Sequence, residues 1–433
     1  MLFCKQGRKD DLVVRRARVL DSIAGIDGVC DVRVDGGVVA QLGTNLEPNE
    51  HRVVDARGLV LAPAFVDPHV HLRVPGREDE ETIASGTAAA AAGGYCAILA
   101  MPNTEPVVDS AAVLGSLIED AQAEAKVRVG FLAAITRGQE GAELTEMAEL
   151  ADAGAAGFTD DGRPLVAPGL MRRALQYHGI TGRRLALHCE EPTLSGGGQM
   201  HEGRVSAELG FAGYPSVAES VMVGRDLAIA AYEDQPIHLL HLSAKESVAQ
   251  LSGAQAEGVR ATGEVTPHHL CLTDEAVRSL DPNVKMNPPL RSAADRAALV
   301  EGLRDGTIAA VATDHAPHAR HEKEVPFEAA PFGVTGLETA FAALYTNLVE
   351  PGFVPLETLL ERMSAGPARV YGLEPPRIAV GATANFVLLD TAATWRVEER
   401  GFRSRSANSW LLGQTLKGRV RMTMAAGRIV FES

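Results

Sequence analysis

The apolar run Leu59-Val60-Leu61-Ala62-Pro63-Ala64-Phe65-Val66, which leads into Asp67-Pro68-His69-Val70-His71, is the most informative segment for the fold of this chain. A bounded apolar run of this length is typical of a buried strand. Residues two apart on a strand point to the same face, so His69 and His71 would place two imidazoles side by side at its C-terminal end. One divalent metal could bind both imidazoles, although two such histidines can also form a hydrogen-bonded polar patch.

The same local pattern recurs eight times along the chain. Short apolar runs end in polar or Gly/Pro-marked turns, and Ala- and Leu-rich helical stretches follow them. Beyond the first, the predicted strands cover residues 96–101, 127–135, 155–158, 184–188, 237–241, 259–265 and 308–313. Predicted helices include residues 80–92, 110–125, 143–153, 217–233 and 244–257. Eight such units predict an α/β fold of the (β/α)₈ TIM barrel type, and a doubly wound open sheet is the alternative with the same local pattern.

The two ends of the chain differ from this repeat. Residues 1–60 and 373–433 contain short strand-like runs separated by turn signals. We expect these flanks to combine into one small β domain beside a catalytic barrel formed by residues 61–372. The barrel is favoured over the open sheet because nearly every polar residue of interest follows the C-terminal end of a predicted strand, where barrel enzymes build their sites.

Composition narrows the class of protein. The 433 residues are 46% hydrophobic and 22% charged, with 41 Lys and Arg against 56 Asp and Glu, a formal net charge of −15. This acidic balance argues against nucleic-acid binding, and an anionic substrate would need a local positive site. We find neither an apolar run long enough for a membrane span nor a secretory signal, and the five cysteines are scattered. A globular cytoplasmic protein is therefore expected.

Two further predicted strands also end in histidine, at His188 and His241. Four neutral imidazoles suit Zn²⁺ or a similar ion, and a pair of metals would need a bridging ligand as well. His238 is three residues from His241 and would face the opposite side of the strand, so we interpret it as a core or outer-shell histidine.

The bridging ligand is the discriminating question, because many binuclear hydrolases of this architecture use a carboxylated lysine on the fourth strand. The chain has no lysine between Lys126 and Lys245, and its fourth predicted strand ends at Asp160 and Asp161. A carboxylate can bridge two cations with its two oxygens, although Asp before Gly also often forms a turn or cap. The strand periodicity does not show which of the two aspartates would be the bridging ligand.

The eighth predicted strand is followed by Asp314. An aspartate there could complete the coordination of one metal and serve the metal-bound water as general base and then acid, or it could merely cap the next segment. Four histidines and an acidic pair at the same predicted rim favour the metal site, because burial of so many unpaired polar groups would be costly.

Substrate capture is predicted for residues near the same strand ends. Arg73 lies two residues beyond His71, and its guanidinium suits a carboxylate, although a surface ion pair with Glu78, Asp79 or Glu80 is the alternative. Asn103 could add amide hydrogen bonds. Asn287, which could equally be a turn residue, and the stretch 318–333 are further candidates.

Seven motifs in order along the barrel resemble one family. They occupy residues 65–73, 100–104, 158–162, 188–190, 241–243, 286–291 and 313–318, and they are similar to those of the bacterial class I dihydroorotases, within the amidohydrolase superfamily. The resemblance implies a zinc-dependent cyclic amidohydrolase that interconverts N-carbamoyl-L-aspartate and L-dihydroorotate in pyrimidine (UMP) biosynthesis, using a binuclear zinc-activated hydroxide.

The resemblance also implies residue roles. One Zn²⁺ would be held by His69, His71 and Asp314, a second by His188 and His241, with Asp161 as the bridge and Asp314 as general acid/base. Substrate would be bound by Arg73, Asn103, Asn287, His318, Phe332 and Gly333. Two departures are Val74, where the family commonly has Asp or Glu, and Ala319, where it has Thr. The Val74 departure puts any role for that carboxylate in doubt.

Two alternative activities and two possible assemblies stay open from the sequence. A hydantoinase- or allantoinase-like enzyme shares the His-x-His opening but normally uses the missing lysine. A non-catalytic dihydroorotase-like partner of aspartate transcarbamoylase would be expected to lack ligand histidines, which are all present here. Neither a homodimer nor an active enzyme docked on a transcarbamoylase is excluded.

Overall fold

The computed structural model describes residues 1–433 and contains eighteen strands. In chain order they are β1 (Leu12–Asp21), β2 (Ile26–Asp35), β3 (Val38–Gly43), β4 (Arg52–Asp55), β5 (Val60–Pro63), β6 (Phe65–Val70), β7 (Tyr95–Ala100), β8 (Arg128–Ala133), β9 (Gly157–Thr159), β10 (Arg184–Leu187), β11 (Met200–His201), β12 (Gly213–Tyr214), β13 (Ile237–Leu239), β14 (Ala261–Val265), β15 (Ala310–Val311), β16 (Phe386–Arg396), β17 (Thr415–Ala425) and β18 (Arg428–Glu432).

The α-helices are α1 (Ile83–Gly93), α2 (Ala111–Glu124), α3 (Met147–Ala153), α4 (Pro168–Thr181), α5 (Pro192–Ser195), α6 (Arg204–Leu209), α7 (Val217–Glu233), α8 (Lys245–Ala256), α9 (Pro267–Cys271), α10 (Ala293–Asp305), α11 (Arg320–Lys323), α12 (Ala340–Leu344), α13 (Leu356–Met363) and α14 (Ala365–Val370). Short 3₁₀ turns and one π-helical turn, Tyr345–Val349, complete the set. No helix combines the length and the apolar character that crossing a membrane requires.

Eight parallel strands form the predicted barrel, in the order β6-β7-β8-β9-β10-β13-β14-β15. The barrel closes where Val70, at the end of β6, bridges His315, just after β15. Asp67 reinforces this closure, because its carboxylate accepts hydrogen bonds from the backbone N–H and the hydroxyl of Thr313. Burial raises the pKa of the Asp67 carboxyl to about 7. The prediction of a (β/α)₈ fold is confirmed.

The two flanks combine in one sheet, as predicted. Its strand order is β18-β17-β16-β5-β1-β2-β3, with β4 beside β1. The sequence-distant halves meet where β5 pairs antiparallel with β16, for example Leu61 with Leu388. Leu61 and Leu388 belong to a separate apolar core within this sheet. The first residues lie elsewhere, because Phe3 pairs with Val129 of barrel strand β8.

One helix boundary bears on the site. The helix predicted from residue 80 begins at Ile83, because Thr82 adopts an extended conformation and its hydroxyl accepts the hydrogen bond of the Ser85 N–H. Glu80 and Glu81 therefore precede the helix and are almost fully buried against the rim of the barrel. Helix α7, by contrast, has the predicted bounds.

Candidate metal centre and active site

All six residues predicted as metal ligands meet at the C-terminal rim of the barrel. His69 lies in β6, and the others follow strand ends within three residues: His71 after β6, Asp161 after β9, His188 after β10, His241 after β13 and Asp314 after β15. All six are buried. Since the C-terminal ends of parallel strands share one face of a barrel, separation in sequence does not keep these groups apart.

The first group surrounds one point with two imidazoles and two carboxylates. His69 Nε2 lies 3.4 Å from both Asp161 Oδ2 and Asp314 Oδ1. His71 Nε2 lies 3.6 Å from Asp161 Oδ2 and 3.0 Å from Asp314 Oδ1. Two ligands about 2.1 Å from a tetrahedral ion are about 3.4 Å apart, so these spacings fit one such ion.

The second group uses the other oxygen of the same carboxylate. Asp161 Oδ1 lies 3.4 Å from His241 Nε2 and 3.7 Å from His188 Nδ1. The two imidazole nitrogens are 2.9 Å apart. Asp161 thus offers one oxygen to each group, which is the geometry of a bridging carboxylate.

The hydrogen bonding of these buried atoms fits a metal centre. His69 Nε2, Asp161 Oδ1 and His241 Nδ1 are buried without a hydrogen-bond partner. Buried polar atoms normally have a hydrogen-bond partner. His69 Nε2 faces the carboxylates of the first group, and Asp161 Oδ1 faces the imidazoles of the second. Imidazole nitrogens with carboxylate oxygens form a donor set that Zn²⁺ accepts. The ligand atoms of His69, His71 and Asp314, and those of His69, Asp161 and His241, lie close enough together to hold metal ions.

The outward nitrogens of three histidines are held by acceptors. His69 Nδ1 lies 2.8 Å from Glu264 Oε1, His71 Nδ1 lies 2.9 Å from Asn103 Oδ1, and His188 Nε2 lies 3.0 Å from Glu190 Oε2. Such partners favour the tautomer whose inward nitrogen carries a lone pair for a metal. Burial opposes ionisation of Glu264, yet hydrogen bonds from His238 and His69 hold its pKa at about 2.

The two adjacent aspartates have different surroundings. Asp160 turns away and accepts hydrogen bonds from the backbone N–H groups of Ile135 and Thr136 and from the Thr136 hydroxyl. Burial raises the pKa of Asp160 to about 6. Asp161 instead faces the imidazoles, so the structure brings Asp161, and not Asp160, into the cluster.

Asp314 is surrounded by groups that favour its charged form. Burial alone would raise its pKa, but the charge of His69 and the hydrogen bond with His71 hold the pKa below its ordinary value. Arg73, His241 and Asp314 also adopt positive φ angles of 60°, 30° and 47°. Residues with a Cβ seldom adopt such angles, and strained backbone of this kind concentrates at functional sites.

The predicted substrate residues Arg73 and His318 lie together on one side of the rim. Arg73 donates from Nε to the Pro317 carbonyl and pairs with Glu80, one of its predicted surface partners, at 2.9 Å. The Arg73 side chain is only 15% exposed, so this is not a surface ion pair. His318 Nε2 lies 2.8 Å from the Phe332 carbonyl oxygen, and its Nδ1 lies 3.2 Å from Glu80 Oε1.

The remaining substrate candidates also border the cluster. Asn103 gives its oxygen to His71, and Asn287 donates from Nδ2 to Glu190 at 3.0 Å, while Asn287 Oδ1 is buried without a partner. Gly333 has a φ of 122°, and a Cβ there would lie 2.7 Å from the Ala316 Cβ and 3.1 Å from His318 Nε2. Only glycine allows this close approach.

Sequence reasoning missed several residues that support this site. Glu264 on β14 bridges His69 and His238, whose Nε2 lies 2.9 Å from Glu264 Oε2. Glu190 could have been found, because it follows His188 by two residues. Two buried lysines hold the segment before Gly333: Lys285 donates to the carbonyls of residues 327 and 328, and Lys323 to those of residues 282 and 331. The positions of Lys285 and Lys323 in the sequence form no motif that predicts this role.

Comparisons with known proteins agree on one family. A family model described as dihydro-orotase-like matches residues 58–247. Dihydroorotases from Geobacter sp. (strain M21) and Pelotomaculum thermopropionicum are each 45% identical, covering 98% and 97% of this chain and 100% and 98% of those proteins. The dihydroorotase of Anaeromyxobacter dehalogenans is 46% identical, with 98% of each chain covered.

The fold of this chain is also similar to that of solved structures. The L-hydantoinase (dihydropyrimidinase) from Arthrobacter aurescens superposes with a TM-score of 0.87 at 26% identity, covering 98% of this chain and 96% of that one. A dihydropyrimidinase from Brevibacillus agri gives 0.83 at 21% identity, covering 98% and 95%, which speaks for the fold alone. The dihydroorotases are far more similar in sequence over the same span, and on that ground the chain belongs to the dihydroorotase family.

Proposed function

We propose that this protein is a dihydroorotase, which closes N-carbamoyl-L-aspartate to L-dihydroorotate and reopens it by hydrolysis of the ring amide. The observation that carries the proposal is the position of Asp161, whose two oxygens face separate histidine groups where hydantoinase-like enzymes normally use a carboxylated lysine. The full-length likeness to proteins named dihydroorotase supports the same activity.

The metal complement that we propose is two Zn²⁺ ions. His69, His71 and Asp314 would hold one, His188 and His241 the other, and Asp161 would bridge them. The spacings and unpartnered atoms of these groups support this assignment. When bound, the ions would supply Lewis acidity toward the reacting water and the amide carbonyl.

Proton transfer is assigned to Asp314. In hydrolysis its carboxylate would accept the proton of the attacking water and deliver it to the ring nitrogen as the carbon–nitrogen bond breaks. In ring closure the same carboxylate would take the proton from the carbamoyl nitrogen as the carbon–nitrogen bond forms, and deliver it to the oxygen that leaves as water. The low pKa of Asp314 keeps it in the basic form that the first step of either direction needs.

Substrate orientation is assigned to the donors that remain free at the rim. Arg73 uses Nε for Glu80 and Pro317, and one of its terminal nitrogens lies 3.5 Å from His318 Nε2, so the other stays available for the substrate carboxylate. Asn103 gives its oxygen to His71, which leaves its amide N–H groups for the substrate. Asn287, His318, Phe332 and Gly333 line the same rim in this proposal.

A substrate comparison tests the activity. Purified protein with defined zinc content should turn over L-dihydroorotate and N-carbamoyl-L-aspartate, followed by ultraviolet absorbance, and should act on hydantoin and allantoin at least about 100-fold more slowly, because a site built for a charged group discriminates strongly against ligands lacking it. Equal or faster turnover of hydantoin would favour the cyclic-amidase alternative. Absence of turnover with full metal content would favour a non-catalytic partner.

Replacement of Arg73 by Met should raise the KM for dihydroorotate by roughly 10- to 100-fold, because a charged hydrogen bond to the carboxylate is lost. The value of kcat should change less, and initial rates over a range of substrate concentrations measure both. Arg184→Met is a matched control: Arg184 is also partly buried and donates from Nε to a backbone carbonyl, that of Val370, at the start of β10. Equal KM values in all three proteins would contradict the assignment.

Location and assembly complete the proposal. All five cysteines are free, which supports the expectation of a reducing compartment, and the cytoplasm stays a prediction. A homodimer and a complex with aspartate transcarbamoylase also stay predictions.

A further inference from the structure

The loop that joins β16 and β17, residues 397–414, belongs to the small β sheet by its position in the chain, yet its middle lies on the rim of the barrel. We call residues 403–408 the rim segment. Its backbone N–H groups at Arg403 and Ser404 donate to Glu338, and the N–H of Arg405 donates to Glu81 at 3.1 Å. Ser406 donates its hydroxyl proton to the Glu80 carbonyl at 2.7 Å.

Asn408 ends the rim segment and is 6% exposed. Its side-chain oxygen accepts the backbone N–H of His318 at 3.1 Å. Its amide nitrogen donates to the carbonyl of Ala316 at 3.1 Å and to that of Gly333 at 3.2 Å. The Asn408 backbone carbonyl also accepts the N–H of Thr335 at 3.0 Å. One side chain therefore uses its acceptor and both donor hydrogens.

These contacts connect two segments that carry proposed substrate residues. His318 follows the eighth barrel strand, whereas Phe332 and Gly333 belong to the segment that returns across the rim. The two segments already touch where His318 Nε2 meets the Phe332 carbonyl. The Ala316 N–H also donates to the Val334 carbonyl at 2.9 Å. Asn408 adds a side-chain connection that bonds to the backbone of both segments.

The chemistry at this point requires an amide. Two carbonyl oxygens need donors, and one N–H needs an acceptor, within reach of a single short side chain. A carboxylate would place negative charge against both carbonyls, and a methyl group would leave all three groups without a partner. The rim would then lose the side-chain hydrogen bonds that join Ala316 and His318 to Gly333.

We propose that Asn408 is a positioning residue for the substrate pocket, through which the small β sheet holds His318 and the Phe332–Gly333 segment in register. Asn408 touches no reacting group in this role, and the assignment of the pocket to dihydroorotate rests on the proposed function. The β sheet thereby takes part in substrate binding, although its apolar cluster around Leu61 and Leu388 is separate from that of the barrel.

The test compares Asn408→Ala and Asn408→Asp with the parent protein. Both variants should raise the KM for dihydroorotate by roughly 10-fold or more, since small displacements of binding groups have large kinetic effects. The value of kcat at saturation and the zinc content should stay within about twofold to threefold, because all proposed metal ligands are unchanged. Asn408→Asp keeps the acceptor for the His318 N–H, loses the donors and places negative charge against the carbonyls of Ala316 and Gly333.

Asn385→Ala is the matched control. Asn385 is equally buried in the small β sheet, and its side chain accepts the backbone N–H of Ala426, away from the rim. It should lower the melting temperature without changing KM. A KM for both Asn408 variants within twofold of the parent value, or an equal rise of KM in Asn385→Ala, would overturn the proposal, as would failure of both Asn408 variants to fold.

Hydrogen exchange separates this inference from the proposed activity. The amide hydrogen of His318, whose acceptor is the Asn408 side chain, should exchange faster in Asn408→Ala than in the parent protein, while those of strands β7 and β8 should not change. Unchanged protection at His318 would refute the positioning role without reference to any substrate. A parent protein that binds zinc but does not turn over dihydroorotate would instead refute the proposed function alone.

Discussion

Replacement of Asp314 by Asn should lower kcat for dihydroorotate by about 1,000-fold, within the range by which general acid–base catalysis contributes to rate. Asparagine has the same shape but cannot carry the proton from water to the leaving nitrogen. It also weakens the first metal group, in which Asp314 Oδ1 lies 3.0 Å from His71 Nε2. Steady-state rates in both reaction directions, with zinc content measured on the same samples, give the result.

The control for Asp314 is a buried aspartate that lies outside the site. Asp21 is 1% exposed in the small β sheet and accepts backbone N–H groups, including that of Ile378. Asp21→Asn should cost stability and leave kcat close to the parent value. Retention of more than about one tenth of kcat in a zinc-loaded Asp314→Asn protein would remove Asp314 from the role of acid and base.

Replacement of Asp161 by Ala should lower zinc content from two ions to one or fewer and reduce turnover by at least about 100-fold, since even the loss of an outer partner of a metal ligand can cost that much. Both histidine groups lose a carboxylate oxygen at once, because Asp161 faces His69 and His71 with Oδ2 and His188 and His241 with Oδ1. Metal analysis after dialysis against a weak chelator measures the loss.

The neighbouring aspartate provides the matched control. Asp160→Asn keeps an acceptor for the N–H groups of Ile135 and Thr136, and a neutral amide avoids the cost of burying the charge, which raises the pKa of Asp160 to about 6. It should retain both zinc ions and most of the activity. Full zinc content in Asp161→Ala, or loss of zinc in Asp160→Asn alone, would reverse the assignment of the bridge.

The part of the architecture that was predicted from sequence rests on local patterns. The apolar run before His69 and the Ala-rich stretch that became α1 are recognised from the composition and length of each run, which depend only on neighbouring residues. The bounds of α7 agree fully with the prediction. The predicted start of α1 was wrong by three residues. The capping pair Thr82 and Ser85 sets the first turn of the helix, and Glu80 and Glu81, which precede it, are buried against the rim of the barrel.

Local sequence patterns did not predict how the site residues are arranged relative to one another. His241 was placed correctly at a strand end, but its strand, β13, stops at Leu239, and a positive φ at residue 241 turns the imidazole toward Asp161. No periodicity separates Asp160 from Asp161, and Asn408 carries no motif at all. The predicted roles of the substrate residues stay predictions for the experiments above.

By itself the sequence determined which side chains follow the barrel strands, since hydrophobic period and turn chemistry act over a few residues. Only the tertiary structure decided which of those side chains lie close enough to share a metal ion. It also decided which side chains accept hydrogen bonds from the outward histidine nitrogens, and it placed the β16–β17 loop on the rim. Those decisions depend on contacts such as Asn408 with His318 and Asp314 with His71, whose partners are 90 and 243 residues apart and meet only when the barrel closes.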